Sequence, residues 1–251
     1  MNLVVDIGNT RVKLAVMERG TCVAERSAER LVPAMLDELF AAHAIDKAIV
    51  SSTRGDASEA AAMLRGRVAR LVEFGPATPV PVRSDYLTPE TLGRDRLAAA
   101  VGVTALWPGR NVLLVDCGTA VTLDLVTADG VFRGGNISPG LRMRFRALHD
   151  YTAALPLCEP ADAGDGADDE APGRTTREAI GRGVTNSLVY EIEGYAARMR
   201  RKIDDLCVIF TGGDAKYLSK RIKNTIFENR NPVVYGLDRI LEFNASEEYL
   251  E

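Results

Sequence analysis

Val121, Leu123 and Leu125 alternate with Thr122, Asp124 and Val126, and just upstream the apolar run Leu113–Val115 ends in Asp116. A small turn, Cys117-Gly118-Thr119, lies between the two. The pattern predicts strand, tight turn and strand, with one carboxylate at the bend. Gly118 lets the backbone come close to a neighbour, or takes dihedral angles that a side chain would forbid. Such a hairpin gathers a carboxylate, a hydroxyl and backbone N–H groups at one edge. These are the parts that hold a metal-bound phosphate chain.

The same pattern appears near the N-terminus. Leu3–Thr10 reads LVVDIGNT and leads into Val12, Leu14 and Val16 on alternate positions. Asp6 and Asp116, Gly8 and Gly118, and Gly20 and Gly130 each lie 110 residues apart. The chain therefore reads as a duplication, with lobes over 1–110 and 111–251. Paired lobes of this kind suit a ligand held in the cleft between them. Either copy alone also reads as an ordinary buried strand with a turn glycine; two copies in register favour phosphate.

Helical periodicity places Leu31, Met35, Leu36, Leu39 and Phe40 on one face of a helix over Arg30–Ala44. Strands are expected at Lys47–Ser52 and Val68–Phe74, with a helix over Asp56–Gly66 capped by Asp56. Gly75–Val82, with Pro76, Pro79 and Pro81, reads as an extended connector. An Ala-rich helix follows over Leu97–Leu106, then the central hairpin, a strand over Val131–Ile137 and a helix over Leu141–His149. Thr176–Lys202 carries Ile180, Val184, Leu188, Ile192 and Tyr195 on one stripe, long enough for a dimer seam as well as a core face. Leu206–Phe210 reads as a buried strand, Val233–Gly236 as a last short strand and Leu237–Phe243 as the start of a final helix. Strands with intervening helices make the chain α/β.

Composition narrows the chemistry. A formal net charge of −4 over 251 residues argues against nucleic acid, since phosphate-backbone binding wants excess Lys and Arg. No apolar run approaches a membrane span, and the chain enters a strand at Leu3, so neither a membrane partner nor a signal peptide is expected. Cys22, Cys117, Cys158 and Cys207 lack zinc-type spacing, and reduced thiols in the cytoplasm are the plain reading. With only His43 and His149 present, a histidine-based metal site or triad is not expected.

Several junctions carry candidate chemistry. Tyr86 precedes Gly93-Arg94-Asp95-Arg96 at the start of a helix. Asp95 suits the positive end of the helix dipole as a cap, with Arg96 a surface charge; equally, Asp and Arg beside a Gly suit a substrate-binding corner. Gly134–Gly140 reads either as helix amides aimed at an anion or as a tight strand-to-helix corner. Arg142, Arg144 and Arg146 fit a solvated helix face. The acidic run Glu159, Asp162, Asp165, Asp168, Asp169 and Glu170, broken by Gly164 and Gly166, lacks calcium-loop spacing and reads as a surface loop. Thr211-Gly212-Gly213-Asp214 reads as a structural turn, or as a bed for a flat ring.

Together these segments resemble the type III pantothenate kinases, a family of the acetate kinase, sugar kinase, Hsp70 and actin superfamily. The resemblance rests on Asp6-Ile-Gly-Asn-Thr10, Gly93-Arg-Asp-Arg96, Asp116-Cys-Gly-Thr-Ala120 with Thr122 and Asp124, Gly134-Gly-Asn-Ile-Ser-Pro-Gly140 followed by Leu148 and Thr152-Ala-Ala-Leu-Pro156, and Thr175-Thr176, Gly183 and Thr211-Gly-Gly-Asp214. It implies an α/β fold of duplicated ribonuclease H-like lobes, as in actin-like ATPases, with mixed sheets, flanking helices and ATP between the lobes. It implies transfer of the ATP γ-phosphoryl group to pantothenate, giving 4′-phosphopantothenate for coenzyme A. By position, Asp95 is the implied base, and Tyr86, Gly93, Arg94 and Arg96 with Asp95 the pantothenate contacts. Thr176 is implied to reach pantothenate from the neighbouring subunit of a homodimer. Asp6, Ile7, Gly8, Asn9, Thr10, Arg11, Val12, Lys13 and Thr119 are the implied ATP contacts. Asp116 is implied to bind a monovalent cation, K+ or NH4+, with Mg2+ arriving on ATP and Asp6 assisting through water. Arg94 departs from the family, where an apolar residue is expected. Two rival expectations remain: another small-molecule kinase of the superfamily, and a transcriptional accessory factor related to this family.

Overall fold

Residues 1–55, 57–163, 171–222, 225–228 and 230–246 are described by the computed structural model. Asp56, expected as a helix cap, and 164–170 of the acidic run lie outside the described residues. The chain divides into two compact units: Met1–Gly109 with Val126–Gly134 and Arg230–Glu251, and Arg110–Leu125 with Gly135–Asn229.

The first unit is built on a five-stranded sheet. Its strands are β1 (Asn2–Ile7), β2 (Val12–Glu18), β3 (Thr21–Ala28), β4 (Lys47–Ser52) and β5 (Arg70–Glu73), in the order β3-β2-β1-β4-β5. β1 and β2 are antiparallel, with Asp6 opposite Lys13, while β4 runs parallel to β1. Leu3, Val5, Leu14, Val16, Ala48 and Val50 form a core with α1 (Pro33–Ala42) and α2 (Ser58–Leu64). Successive side chains alternate faces, so Asn2, Val4 and Asp6 look the other way. There α3 (Arg94–Leu106) and α7 (Pro232–Ala245) pack against the sheet. These two helices cross very closely: a Cβ on Gly102 would lie 1.9 Å from the Pro232 carbonyl oxygen, and one on Gly236 1.8 Å from that of Ala98. A two-residue strand, β6 (Arg83–Ser84), lies between α2 and α3 in sequence.

The second sheet is six-stranded. β7 (Val112–Cys117), β8 (Ala120–Thr127), β9 (Val131–Pro139), β10 (Cys207–Thr211) and β11 (Ile226–Phe227) join β6 in the order β11-β10-β7-β8-β9-β6. Without β6, this repeats the first sheet strand for strand: an antiparallel meander with two strands added beside its first member. The duplication is thus present in topology. Gly20 and Gly130, at equivalent hairpin turns, both take positive φ, 76° and 72°. In the second unit α4 (Leu141–Asp150), α5 (Thr176–Arg200) and α6 (Ala215–Ser219) bury Leu141, Phe145, Val184, Leu188 and Leu218 against Leu113, Val115, Leu123 and Phe210.

One expected element is corrected. Val233–Gly236 is not a strand; it is the first turn of α7. The Asn231 side chain accepts a hydrogen bond from the Val233 N–H at 3.1 Å, and Pro232 occupies a helix-starting position that needs no N–H donor. β3, mostly exposed, is an element the hydrophobic pattern did not signal.

Candidate active site

The first Asp-x-Gly turn is closed by the Gly8 N–H donating to the Arg11 carbonyl at 3.0 Å. Asp6 is buried at the end of β1, whereas Asn9 and Thr10 at the tip are exposed. Lys13 shares the sheet face of Asp6 through their register. Ile7 and Val12 pair at the base of the turn, and Val12 is core. The Arg11 guanidinium is engaged by β3, donating to Ser27 Oγ at 2.7 Å and to the Ser27 carbonyl at 3.1 Å. In this segment the main chain and the tip side chains are therefore the groups that face outward.

A second feature of the first unit is the start of α3. Asp95 lies in the first helical turn, where the helix dipole favours a carboxylate. Its Oδ1 accepts the Arg96 N–H at 2.8 Å and lies 2.6 Å from where a Cβ on residue 93 would be. The absence of a side chain at Gly93 leaves the space into which the carboxylate folds back. Arg96, only 6% exposed, is no surface charge. Its guanidinium lies 5.6 Å from the Tyr86 ring centre and 5.7 Å from that of Phe132, and the two rings stack at 6.1 Å. Cation–π attraction in a desolvated setting holds it there. Parallel pairing of Ser84 with Phe132 and the Asp85 N–H bonded to the Phe132 carbonyl at 3.0 Å bring the rings together. Arg94 turns to the loop, donating to the Pro89 carbonyl at 3.1 Å.

In the second unit, the Gly118 N–H donates to the Ala120 carbonyl at 3.1 Å, closing the second turn much as Gly8 closes the first. Thr119 is exposed at its tip, and Asp116 is half-buried at its base. Two glycines cradle this turn. A Cβ on Gly140 would lie 2.3 Å from the Thr119 carbonyl oxygen, and one on Gly212, whose φ is +94°, 2.4 Å from Asp116 Oδ1. The Asp214 N–H bonds the Cys117 carbonyl at 3.0 Å. Burial pushes the Cys117 thiol well up, with the Asp116 and Asp214 carboxylates adding to it. Burial likewise raises the Asp214 carboxyl, and the Arg142 charge offsets this in part. The surroundings are rich in oxygen donors and negative charge, which suits a cation. Among the described residues no group of three or more His, Cys, Asp and Glu is arranged to hold a metal.

Thr176 begins α5, directly after Thr175, whose Oγ accepts the Glu178 N–H at 3.2 Å as a helix cap. It lines an apolar groove of about 1020 Å³ shared with Met143, Leu148, Tyr151 and Ile180. Tyr151 is 89% exposed and Met143 44%. At the groove's edge Arg144 is no solvated charge: it pairs with Glu191 at 2.5 Å and donates to Ser138 Oγ at 3.2 Å. Among the described residues, no helix is long and apolar enough to cross a membrane.

The family model for type III pantothenate kinase matches residues 2–198. A type III pantothenate kinase of Porphyromonas gingivalis strain W83 is 42% identical over 244 residues, covering 97% of this chain and 99% of the relative. One from Phocaeicola vulgatus is 38% identical over 246 residues, with 97% and 99% covered. The chain belongs to the type III pantothenate kinase family. Type III pantothenate kinases are ATP-dependent phosphotransferases, and this chain shares that class. Among solved structures, it is similar to a Campylobacter jejuni protein described as a Baf family transcriptional activator, at 20% identity and TM-score 0.63, covering 96% of this chain and 98% of that one. It is also similar to the activator of 2-hydroxyisocaproyl-CoA dehydratase from Clostridium difficile, at 13% identity and TM-score 0.52, with 97% and 96% covered. At those identities the likeness carries the fold alone.

Within the first unit, Tyr86 and Arg96 meet, and Gly93 and Asp95 touch. Phe132 escaped the sequence reading. The only available signal was an aromatic one residue beyond the start of a strand, and nothing there tied it to Arg96, 36 positions earlier by residue number.

Proposed function

We propose that the chain transfers the γ-phosphoryl group of ATP to the hydroxyl of pantothenate, giving ADP and 4′-phosphopantothenate, the first committed step towards coenzyme A. Asp95 accepts the hydroxyl proton. Arg96, with Tyr86 and Gly93 beside it, holds pantothenate, while Arg94 is engaged by the Pro89 carbonyl, and a planar guanidinium suits the pantothenate carboxylate because it donates two parallel hydrogen bonds. The segment Asp6–Lys13 and Thr119 are the ATP contacts in this reading. The observation that carries this reading is the Asp95 carboxylate folded back over Gly93 beside an Arg96 set against the Tyr86 and Phe132 rings.

Phosphoryl transfer depends on in-line placement and neutralised oxygens more than on covalent help. A carboxylate within hydrogen-bond reach of the attacking hydroxyl suffices as base or orienter. Mg2+ bound with ATP would supply charge neutralisation, and Asp6 would accept a hydrogen bond from one of its coordinated waters. Asp116 and nearby main-chain carbonyls fit a monovalent cation, K+ or NH4+, which would neutralise phosphate charge.

The working form in this reading is a homodimer in which Thr176 reaches the pantothenate of the neighbouring subunit. The groove it lines, with exposed Tyr151 and Met143, supports a second copy seated there. The enzyme acts in the cytoplasm on small molecules, and its net charge of −4 disfavours nucleic acid. The test is a coupled assay of the purified protein with pantothenate, ATP and Mg2+, in K+ or in Na+. Phosphopantothenate formed faster in K+ is expected; none in either salt overturns the reading.

A further inference from the structure

We infer that Arg54 is a positioning residue for the first phosphate-binding turn, orienting the Gly8–Asn9 peptide so that its N–H faces the ATP phosphates. The inference rests on the proposed role of Asp6–Lys13 at ATP.

β4 runs parallel to β1, and its last residue, Ser52, lies opposite Ile7. The chain that leaves β4 folds onto the tip of β1. Thr53 donates to the Ile7 carbonyl twice, from its N–H at 2.9 Å and from Oγ1 at 3.2 Å. The Arg54 N–H donates to Ser52 Oγ at 3.2 Å, which tightens the loop. Arg54 Nε then donates to the Gly8 carbonyl at 2.7 Å, from 46 residues away in sequence. One short loop therefore engages two consecutive carbonyls of the turn.

A trans peptide points its C=O and N–H in opposite directions. With the Gly8 carbonyl held by Arg54, the Asn9 N–H is directed to the far side, at the exposed tip. Gly8's own N–H is already used on the Arg11 carbonyl. A charged donor also polarises the peptide it binds, which makes the Asn9 N–H a better donor to an anion. Arg54 thus acts through the main chain of the turn rather than by touching the reacting atoms.

The test compares R54A, R54Q and R54K in the full-length protein, measuring kcat and KM for ATP at saturating pantothenate. A glutamine Nε2 stands at the same distance along the side chain as the arginine Nε, so R54Q keeps a neutral donor for the Gly8 carbonyl. R54A should raise KM for ATP about fivefold with kcat near wild type, and R54Q should return it to within about twofold. An unchanged KM in R54A overturns the inference. So does a KM in R54Q as high as in R54A while R54K restores it, because charge alone would then be the cause. Wild-type protein without ATP-dependent turnover removes the underlying reading as well; normal wild-type turnover with an unaltered R54A removes only Arg54.

Discussion

The Asp95 carboxylate occupies the space that a side chain at Gly93 would need, its Oδ1 lying 2.6 Å from the Cβ position. The Gly and the Asp of the Gly-x-Asp-Arg motif are therefore one device: the first residue is small so that the third can fold back. In G93A the atom that must yield is the end of a flexible side chain, not backbone, so the cost falls on catalysis rather than folding. Its urea midpoint should stay close to wild type, while kcat should fall by about 10²-fold, as for a catalytic group misplaced by about 1 Å.

Phe132, itself fully buried, lies with its ring centre 5.7 Å from the Arg96 guanidinium. F132L keeps an apolar side chain there and removes the ring. A lost cation–π contact of about 1 kcal/mol should raise KM for pantothenate roughly fivefold, with KM for ATP unchanged. Parallel rises in both constants would show a general disturbance instead.

α3, whose first turn carries Asp95 and Arg96, crosses α7 at Gly102 and Gly236. A methyl group added at Gly102 or Gly236 would meet backbone oxygen at 1.9 and 1.8 Å respectively. Backbone cannot rotate aside, so G102A and G236A should each cost about 3 kcal/mol, at the upper end for overpacking. Urea unfolding with unchanged m-values measures this.

Asp238 on α7 is buried against β1, accepting from Asn2 Nδ2 at 2.7 Å, while Asn2 also donates to Glu242 at 2.6 Å. Burial raises the Asp238 carboxyl, chiefly by desolvation; the Asn2 hydrogen bond and the Lys47 and Arg239 charges oppose this, and Glu242 adds to it. With a folded-state value above the unfolded one, the native state binds more protons between the two. Stability therefore falls as pH rises from the ordinary aspartate value through the raised one. Glu242, held down by Lys47 and Asn2 despite burial, contributes in the opposite sense. D238N isolates the first effect: its stability relative to wild type should increase with pH across that window, measured as urea midpoints from about pH 4 to 7. A pH-independent difference would refute it.

Much of the fold was readable from the sequence because the twin hairpins combine strict alternation with a turn glycine, and local signals determine both. The same holds for α5, whose long stripe repeats at helical spacing. Val233–Gly236 misled because a short apolar run reads equally as strand or helix. The Asn231-Pro232 pair before it was the arbitrating signal. β3 was silent because its residues are largely exposed and bury no alternating face. Phe132, Arg54 and the Gly102–Gly236 crossing depend on contacts between distant segments, which periodicity does not encode.

The central claim is that Asp95 prepares the acceptor alcohol. Its side chain is half-buried and accepts the neighbouring Arg96 N–H, so D95N, which keeps an oxygen for that donor, should fold as wild type. The most direct measurement is the steady-state rate of 4′-phosphopantothenate formation by D95N with saturating ATP, Mg2+, K+ and pantothenate. A fall in kcat of about 10²- to 10⁴-fold, with KM for pantothenate near wild type, is predicted. Undiminished turnover by a folded D95N would contradict it.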